Sequence, residues 1–300
     1  MKKVPQIGVL SPAARPRPVV EALRQELRNL GYQEGQNIKF EERYADWKVE
    51  RLPELAGELV KLKPDVIFTH SVTGAKAAKE ATATIPIVVG AAGDLVQDGV
   101  VTNLTRPGGN ITGVTLLSSE LEGKRLELLK EASRKLSRIA VLVNSANPAW
   151  ERYPKILEPA ARALGIRLYR AEIGEPAAVE TIWSTLRENQ IDGVLVVSDP
   201  IFQTYQARIA KFAIKYQLAS ISEVPGFAEN GGLIQYGLSI PEMGRLAAAY
   251  VDKILKGAKA GDLPIERPAR FEFIVNLRTA KELGLKIPPE MLARADKVIK

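Results

Sequence analysis

A repeated strand–loop–helix unit constrains this chain more than any other feature of its sequence. An apolar run at residues 65–70 leads into a short loop, S-V-T-G, and then into a helix rich in alanine and lysine. The apolar runs at residues 85–89 and 193–197 are followed by comparable loops, G-A-A-G-D and S-D-P. Strands that alternate with helices in this way form parallel sheets, because each crossover returns the chain to the same end of the sheet.

This pattern occurs twice along the chain. In the first half, four strands alternate with helices from about residue 4 onward, and a second series begins with the strand I-A-V-L-V at residues 139–143. Three hundred residues exceed the size of one typical core and suit two domains. The sequence therefore predicts an α/β fold made of two doubly wound parallel-sheet lobes, with a ligand cleft between them.

A regular helix late in the chain determines the expected domain boundaries. Ser239 and Glu242 have the spacing of a capping box, and apolar residues follow at helical spacing until Gly257. Because this helix comes after the strands of the second lobe, we expect it to return and pack on the first lobe. The expected lobes are residues 1–117 plus 238–263 and residues 118–237 plus 264–300.

Composition and charge exclude several classes of protein. The chain has no cysteine, which excludes disulfides, thiolate metal sites and cysteine nucleophiles. Its formal charge is +7, but basic and acidic residues alternate, as in residues 122–127, and this favours solvated helix faces over a nucleic-acid surface. Ser119 and Glu122 are expected to form a capping box for the helix that contains this segment.

The chemistry of common catalytic sites is missing from the sequence. His70 is the only histidine, which argues against histidine-dependent triads, and we expect it to be a hydrogen-bonded residue at the end of a strand. No G-x-S-x-G motif is present, and no G-x-G-x-x-G follows the first strand. Val114 occupies the position where a phosphate-binding loop requires lysine. We expect no enzyme activity, no cofactor and no metal site.

Loops of the first half have the properties of a carboxylate site. Backbone N–H groups at a helix N-terminus favour an anion, and side chains that follow parallel strands meet at one edge of the sheet. Ser71 and Thr73 are therefore either simple helix caps or ligand contacts, and Asp94 has the same two interpretations. Small residues in the neighbouring loop would let a ligand approach the backbone. The predicted contacts in this half are Ser11, Ser71, Thr73, Ala91, Ala92 and Asp94.

Loops of the second half carry acidic and amide side chains. Asp199 and Glu223 follow apolar strands, where each would either cap a turn or pair with a ligand ammonium group. Asn144 and Asn147 follow another strand and would exchange hydrogen bonds with a ligand, and Tyr236 ends a strand near the expected hinge. The two halves together predict a zwitterionic ligand, held when the lobes close over it.

Three segments resemble a known family. They are P-G-G-N-I-T-G-V at residues 107–114, N-L-R-T-A-K-E-L-G-L-K-I-P at residues 276–288 and Q-I-G-V-L-S at residues 6–11. They are similar to ABC-transporter substrate-binding proteins, the group that includes tryptophan- and tyrosine-binding members. The resemblance implies a type 1 periplasmic-binding fold, with two lobes joined by three crossing segments. It also implies that the loops after the third and fourth strands hold the ligand carboxylate, which here means Ser71, Thr73 and Ala91–Ala92.

The expected function is therefore solute binding without catalysis. We expect the extracytoplasmic component of an ABC importer, with an amino acid or related compound as its ligand and a membrane permease and ATPase as its partners. We expect a monomer that binds no nucleic acid, in a mature form from which a leader has been removed. Two alternatives stay open: a cytosolic small-molecule-sensing domain, and an α/β enzyme that uses carboxylates such as Asp94 and Asp199.

Overall fold

Two compact units make up the chain. The computed structural model describes residues 4–15, 18–116, 118–145, 153–174, 178–197 and 199–300. Unit 1 contains Met1–Ser118 and Ser239–Ala269, and unit 2 contains Ser119–Leu238 and Arg270–Lys300, so the chain passes between the units three times. The first segments of the two units end at residues 118 and 238, and the second segment of unit 1 ends at 269. The corresponding positions expected from the sequence were 117, 237 and 263.

Strands and helices alternate along most of the chain. No helix in the described ranges combines the length and apolar character needed to cross a membrane. In chain order the elements are β1 (Gln6–Ser11), α1 (Pro18–Asn29), β2 (Lys39–Tyr44), α2 (Leu52–Lys61), β3 (Val66–Thr69), α3 (Val72–Ala81), β4 (Ile87–Ala92), β5 (Ile111–Thr115), α4 (Ser118–Ala132), β6 (Arg138–Val143), α5 (Tyr153–Ala163), β7 (Arg167–Glu172), α6 (Ala178–Glu188), β8 (Gly193–Val196), α7 (Pro200–Lys215), β9 (Ala219–Ser222), β10 (Ile234–Gly237), α8 (Ile240–Leu255), β11 (Glu272–Asn276), α9 (Leu277–Glu282), α10 (Pro289–Arg294) and β12 (Lys297–Ile299).

The sheet of unit 1 is parallel throughout, in the order β2-β1-β3-β4-β5. Strands β3 and β5 are buried along their whole length, as expected where helices cover both faces of a parallel sheet. Helices α2 and α3 pack in one core with Leu10, Ile67 and Val89. Helix α8 packs against α1 and β4, so the expectation that it returns to the first half is confirmed.

The sheet of unit 2 has seven strands, in the order β12-β11-β10-β9-β8-β6-β7. All neighbours are parallel except β10 and β11, which run antiparallel. This exception arises because the chain leaves unit 2 after β10 and returns from unit 1 directly into β11, without a crossover helix in unit 2. The predicted α/β class with two parallel-dominated sheets is confirmed.

The helix cap predicted at Ser239 is confirmed. Ser239 caps α8 and accepts a hydrogen bond from the N–H of Glu242. The prediction for Ser119 is wrong, because α4 begins at Ser118 and Ser119 lies inside the helix. The predicted solvated face at residues 122–127 is also wrong in part, because Glu122 and Arg125 are buried and pair with each other.

Candidate functional site

The carboxyl ends of β1, β3 and β4 lie side by side in unit 1. Ser11 is the last residue of β1, and its Oγ lies 3.1 Å from Nε2 of His70, which follows β3. Ser11 Oγ also accepts a hydrogen bond from the N–H of Ala13 at 3.2 Å. The expected strand-end hydrogen bond of His70 is therefore confirmed, and it ties the loop after β1 to the loop after β3.

Ser71 and Thr73 lie at the N-terminus of α3. Ser71 is the N-cap, and its Oγ accepts from the N–H of Gly74 at 3.0 Å. The hydroxyl of the exposed Thr73 donates to the same oxygen at 3.4 Å. A Cβ on Gly74 would lie 2.2 Å from Oγ1 of Thr69, so this first turn packs directly on the end of β3. The absence of a side chain at Gly74 is what allows the turn to approach the sheet edge.

The end of β4 presents mainly backbone groups, because its residues have small side chains. The register between β4 and β5 shifts between Gly90 and Ala92, which places an irregularity at Ala91. The methyl group of Ala92 is buried in the core. Asp94 is buried as well, and its Oδ1 accepts from the N–H groups of Val96 at 3.1 Å and Gln97 at 3.0 Å. Asp94 therefore caps a turn rather than a helix.

In unit 2, β6, β8 and β9 end at one edge of the sheet. Asn144 follows β6 and donates from Nδ2 to Oδ1 of Asp199 at 3.0 Å. The same oxygen accepts from the N–H of Ile201 at 3.0 Å, because Asp199 is the N-cap of α7. Asn144 and Asp199 are thus brought together from positions 55 residues apart. Asn147 lies outside the described residues.

Glu223 belongs to a buried ionic cluster centred on Arg125. The guanidinium donates from Nη2 to Oε2 of Glu223 at 2.6 Å and from Nη1 to Oε1 of Glu122 at 2.5 Å. Its Nε donates to the carbonyl oxygen of Tyr236 at 2.9 Å. The side chains of Arg125 and Glu122 are 1% and 0% exposed, and that of Glu223 is 11% exposed. The cluster joins α4, the loop after β9 and the end of β10.

The cluster contains two carboxylates for one guanidinium. Burial raises the pKa of Glu122 to about 7, Arg125 opposes this shift, and Glu223 adds to it. Oε2 of Glu122 has no hydrogen-bond partner in the described part of the chain. Burial by itself would lower the pKa of Arg125, but its two carboxylate partners reverse the effect and the pKa is raised.

Tyr236 is half-buried in a group of aromatic rings. Its ring centroid lies 5.9 Å from that of Phe271 and 6.1 Å from that of Phe273. Phe273 is its partner in the antiparallel pairing of β10 with β11. The ring of Tyr236 therefore packs within unit 2, and the backbone carbonyl of Tyr236 accepts a hydrogen bond from Arg125.

Sequence reasoning missed Arg125 and Glu122. A signal was present, because Glu122, Arg125, Leu126 and Leu129 follow the i, i+3, i+4, i+7 spacing of one helix face. Both leucines are fully buried, so the charged residues on the same face are buried with them. Of the predicted residues, unit 1 joins Ser11 to the loop of Ser71, whereas Asp94 belongs to a separate turn.

One family model matches nearly the whole chain. A model of the ABC transporter substrate binding protein family matches residues 9–299. A tyrosine-binding protein of Clostridioides difficile (strain R20291) is 28% identical over 87% of this chain and 74% of its own length.

Solved structures show the same fold. A conserved domain protein from Vibrio cholerae has a TM-score of 0.90 and 27% identity, over 99% of this chain and 100% of that one. An ABC domain from Streptococcus pneumoniae in complex with L-Trp has a TM-score of 0.90 and 21% identity over the same shares. An open, ligand-free substrate-binding protein from Clostridium difficile has a TM-score of 0.74 and 26% identity, over 99% of both chains. This chain belongs to the ABC transporter substrate-binding protein family, whose members are binding proteins rather than enzymes.

Proposed function

We propose that this chain is the solute-binding component of an ABC importer and that its ligand is an aromatic amino acid. The observation that carries the proposal is that unit 1 offers hydrogen-bond donors for a carboxylate, whereas unit 2 offers carboxylates for an ammonium group. The site residues of unit 1 include hydroxyl groups and the first turn of a helix, and those of unit 2 include Asp199 and Glu223. A zwitterion needs both kinds of group. The tyrosine-binding relative and the tryptophan-bound neighbour support an aromatic side chain.

The ligand carboxylate would bind to unit 1. The first turn of α3 has N–H groups at the positive end of the helix dipole, and Thr73 adds an exposed hydroxyl. Ser11 lies at the neighbouring strand end, joined through His70 to the same loop. Ala91 and Ala92 would contribute backbone, and Asp94 would hold the adjoining turn in place.

The ligand ammonium group would bind to unit 2. Asp199 is positioned by Asn144 and by the start of α7. Glu223 is positioned by Arg125, in a cluster that holds one more carboxylate than guanidinium groups. Tyr236 and Asn147 complete the proposed contacts of this half.

The two units would act as lobes that close on the ligand. Neither half-site has the chemistry for a whole zwitterion, so the affinity would depend on both. We propose that the protein works outside the cytoplasm as a monomer and delivers its ligand to a membrane permease driven by an ATPase. The family assignment supports these partners.

Asp199→Asn tests the ammonium half-site. Asparagine caps helices about as well as aspartate, so the variant keeps the cap of α7 and loses only the charge. Its binding free energy for L-tyrosine, measured by calorimetry, should become less favourable by about 1.5–3 kcal/mol, the range for a hydrogen bond to a charged group.

Asp192→Asn is the matched control. Asp192 precedes the same strand, β8, at the opposite edge of the sheet, where it accepts from Ser137 and Arg138. This variant should bind L-tyrosine as the parent protein does. An unchanged affinity in Asp199→Asn, with its fold intact, would remove Asp199 from the site.

A further inference from the structure

Thr69, the last residue of β3, carries a buried hydroxyl group without a partner. The residue is 0% exposed, and its Oγ1 has no hydrogen-bond partner in the described part of the chain. Thr112 is equally buried in β5 of the same sheet, and its hydroxyl donates to the carbonyl of Leu263 at 2.9 Å. An unsatisfied buried hydroxyl costs stability, so its presence at the carboxyl edge of the sheet calls for an explanation.

The hydroxyl of Thr69 lies under the first turn of α3. A Cβ on Gly74 would lie 2.2 Å from Oγ1 of Thr69 and 2.9 Å from Oγ of Ser71. Both oxygens are therefore next to the same point of the turn, Thr69 at the end of the strand and Ser71 at the N-cap. The buried hydroxyl is thus adjacent to the helix N-terminus to which the ligand carboxylate is proposed to bind.

Ser71 already accepts two hydrogen bonds. Its Oγ accepts from the N–H of Gly74 at 3.0 Å and from the hydroxyl of Thr73 at 3.4 Å, and a hydroxyl oxygen has two acceptor lone pairs. The bond from Thr73 is long, and Thr73 is exposed. A carboxylate at this N-terminus would take the hydroxyl of Thr73, because hydrogen bonds to an ionised acceptor are about twice as strong as neutral ones. One lone pair of Ser71 would then be free beside Thr69.

We infer that Thr69 is a positioning residue of the carboxylate half-site, whose hydroxyl donates to Ser71 once the ligand carboxylate has taken the hydroxyl of Thr73. The inference rests on the proposed function and adds to it a residue that acts from beneath the site. Because the new hydrogen bond forms only with the ligand bound, it contributes to ligand affinity and not to the stability of the ligand-free protein.

Thr69→Val is the main test, because valine has nearly the same shape and lacks the hydroxyl. Without ligand, the unfolding midpoint of this variant should equal or exceed that of the parent, since no hydrogen bond is lost. The dissociation constant for L-tyrosine, measured by calorimetry, should rise about three- to tenfold, the effect of one net hydrogen bond. The dissociation constant for tyramine, which has no carboxylate, should be that of the parent.

Thr69→Ser should behave in the opposite way, because it keeps the hydroxyl and removes a buried methyl group. Its unfolding midpoint should fall by about 2–4 °C. Its dissociation constant for L-tyrosine should stay at the parent value. The affinity then follows the hydroxyl, whereas the stability follows the methyl group.

Thr112→Val is the matched control. It removes a satisfied hydroxyl from the same sheet, so its unfolding midpoint should fall by about 2–4 °C while L-tyrosine binding is unchanged. The inference is overturned if Thr69→Val binds L-tyrosine as the parent does, or if it is destabilised as Thr112→Val is. With a parent protein that binds L-tyrosine, either result leaves the proposed function standing. If the parent binds no aromatic amino acid, the proposed function fails, and this inference fails with it.

Discussion

Arg125 donates to acceptors from three separate elements. Glu122, Glu223 and the carbonyl of Tyr236 all depend on one buried guanidinium. A buried ion pair adds little net stability compared with apolar residues of the same size. Removing one partner is costly, however, because the remaining charges are left uncompensated. Arg125 therefore matters more for the geometry of this corner of unit 2 than for its packing.

Arg125→Met should destabilise the protein by about 3–5 kcal/mol. The measurement is the free energy of unfolding in urea. Arg294→Ala is the control, since Arg294 and Glu131 form a partly exposed pair in the same unit, and such pairs contribute about 0–1 kcal/mol. Equal losses in the two variants would contradict a special role for Arg125.

Glu122 should make stability depend on pH. Its pKa is raised to about 7 in the folded protein, so the folded state holds the proton more tightly than the unfolded chain does. This contribution is fully present below the unfolded pKa of about 4.5 and is lost as the pH rises through 7. The free energy of unfolding should fall between pH 5 and pH 8, by up to about 1.4 kcal/mol per pH unit.

Glu122→Gln should remove this slope, while Glu131→Gln, at a partly exposed position of α4, should keep it. Unfolding curves at several pH values compare the three proteins. A parent protein whose stability is flat or rises across this range, with Glu122→Gln behaving identically, would show that Glu122 is ionised throughout.

The contact between α1 and α8 depends on a glycine. A Cβ on Gly244 would lie 2.5 Å from the carbonyl carbon of Ala22 and 2.6 Å from its Cβ. Helix propensity alone favours alanine over glycine by about 1 kcal/mol. Here the backbone of α1 at Ala22 opposes that gain, because it occupies the space that a Cβ on residue 244 would need.

Gly244→Ala should therefore destabilise the protein by about 1–3 kcal/mol, the usual cost of overpacking. Gly57→Ala is the control, because Gly57 lies inside α2 with no atom near its would-be Cβ, and it should gain about 0.5–1 kcal/mol. Urea unfolding measures both. A gain in Gly244→Ala would mean that α1 and α8 adjust freely.

Local patterns predicted the elements better than the contacts between them. The apolar runs, the helix after Ser239 and the return of that helix to unit 1 follow from periodicity, capping and chain order. The antiparallel β11 does not, because its direction depends on where the chain re-enters unit 2. The charges of Glu122 and Arg125 predict a solvated helix face, but the two residues are buried together with the leucines on the same face.

The positions of the candidate site residues are predictable from the strand order, but their partners are not. Parallel strands bring their carboxyl ends together, which explains why Ser11 lies near the loop of Ser71 in unit 1 and why Asn144 lies near Asp199 in unit 2. The bond between Asn144 and Asp199 joins residues 55 positions apart, and the bond between Arg125 and Glu223 joins residues 98 apart. Local sequence patterns do not predict pairings between residues so far apart.

The central proposal is that this chain binds an aromatic amino acid and does not transform it. The family model matches residues 9–299. Unit 1 carries groups suited to a carboxylate, and unit 2 carries groups suited to an ammonium group. The chain passes between the two units three times. Binding of the complete zwitterion, rather than of either end, is the property that separates this claim from its alternatives.

The most direct test is a calorimetric titration of L-tyrosine and L-tryptophan into the protein. The protein is first unfolded and refolded from denaturant, because this treatment removes any ligand carried over from the host. The account predicts one ligand per chain, recovered unchanged, with stabilisation of about 4 kcal/mol at a thousand times the dissociation constant. Tyramine, which lacks the carboxylate, and 3-(4-hydroxyphenyl)propionate, which lacks the amine, should bind far more weakly. Failure of both amino acids to bind, or binding of either truncated compound as tight as that of L-tyrosine, would contradict it.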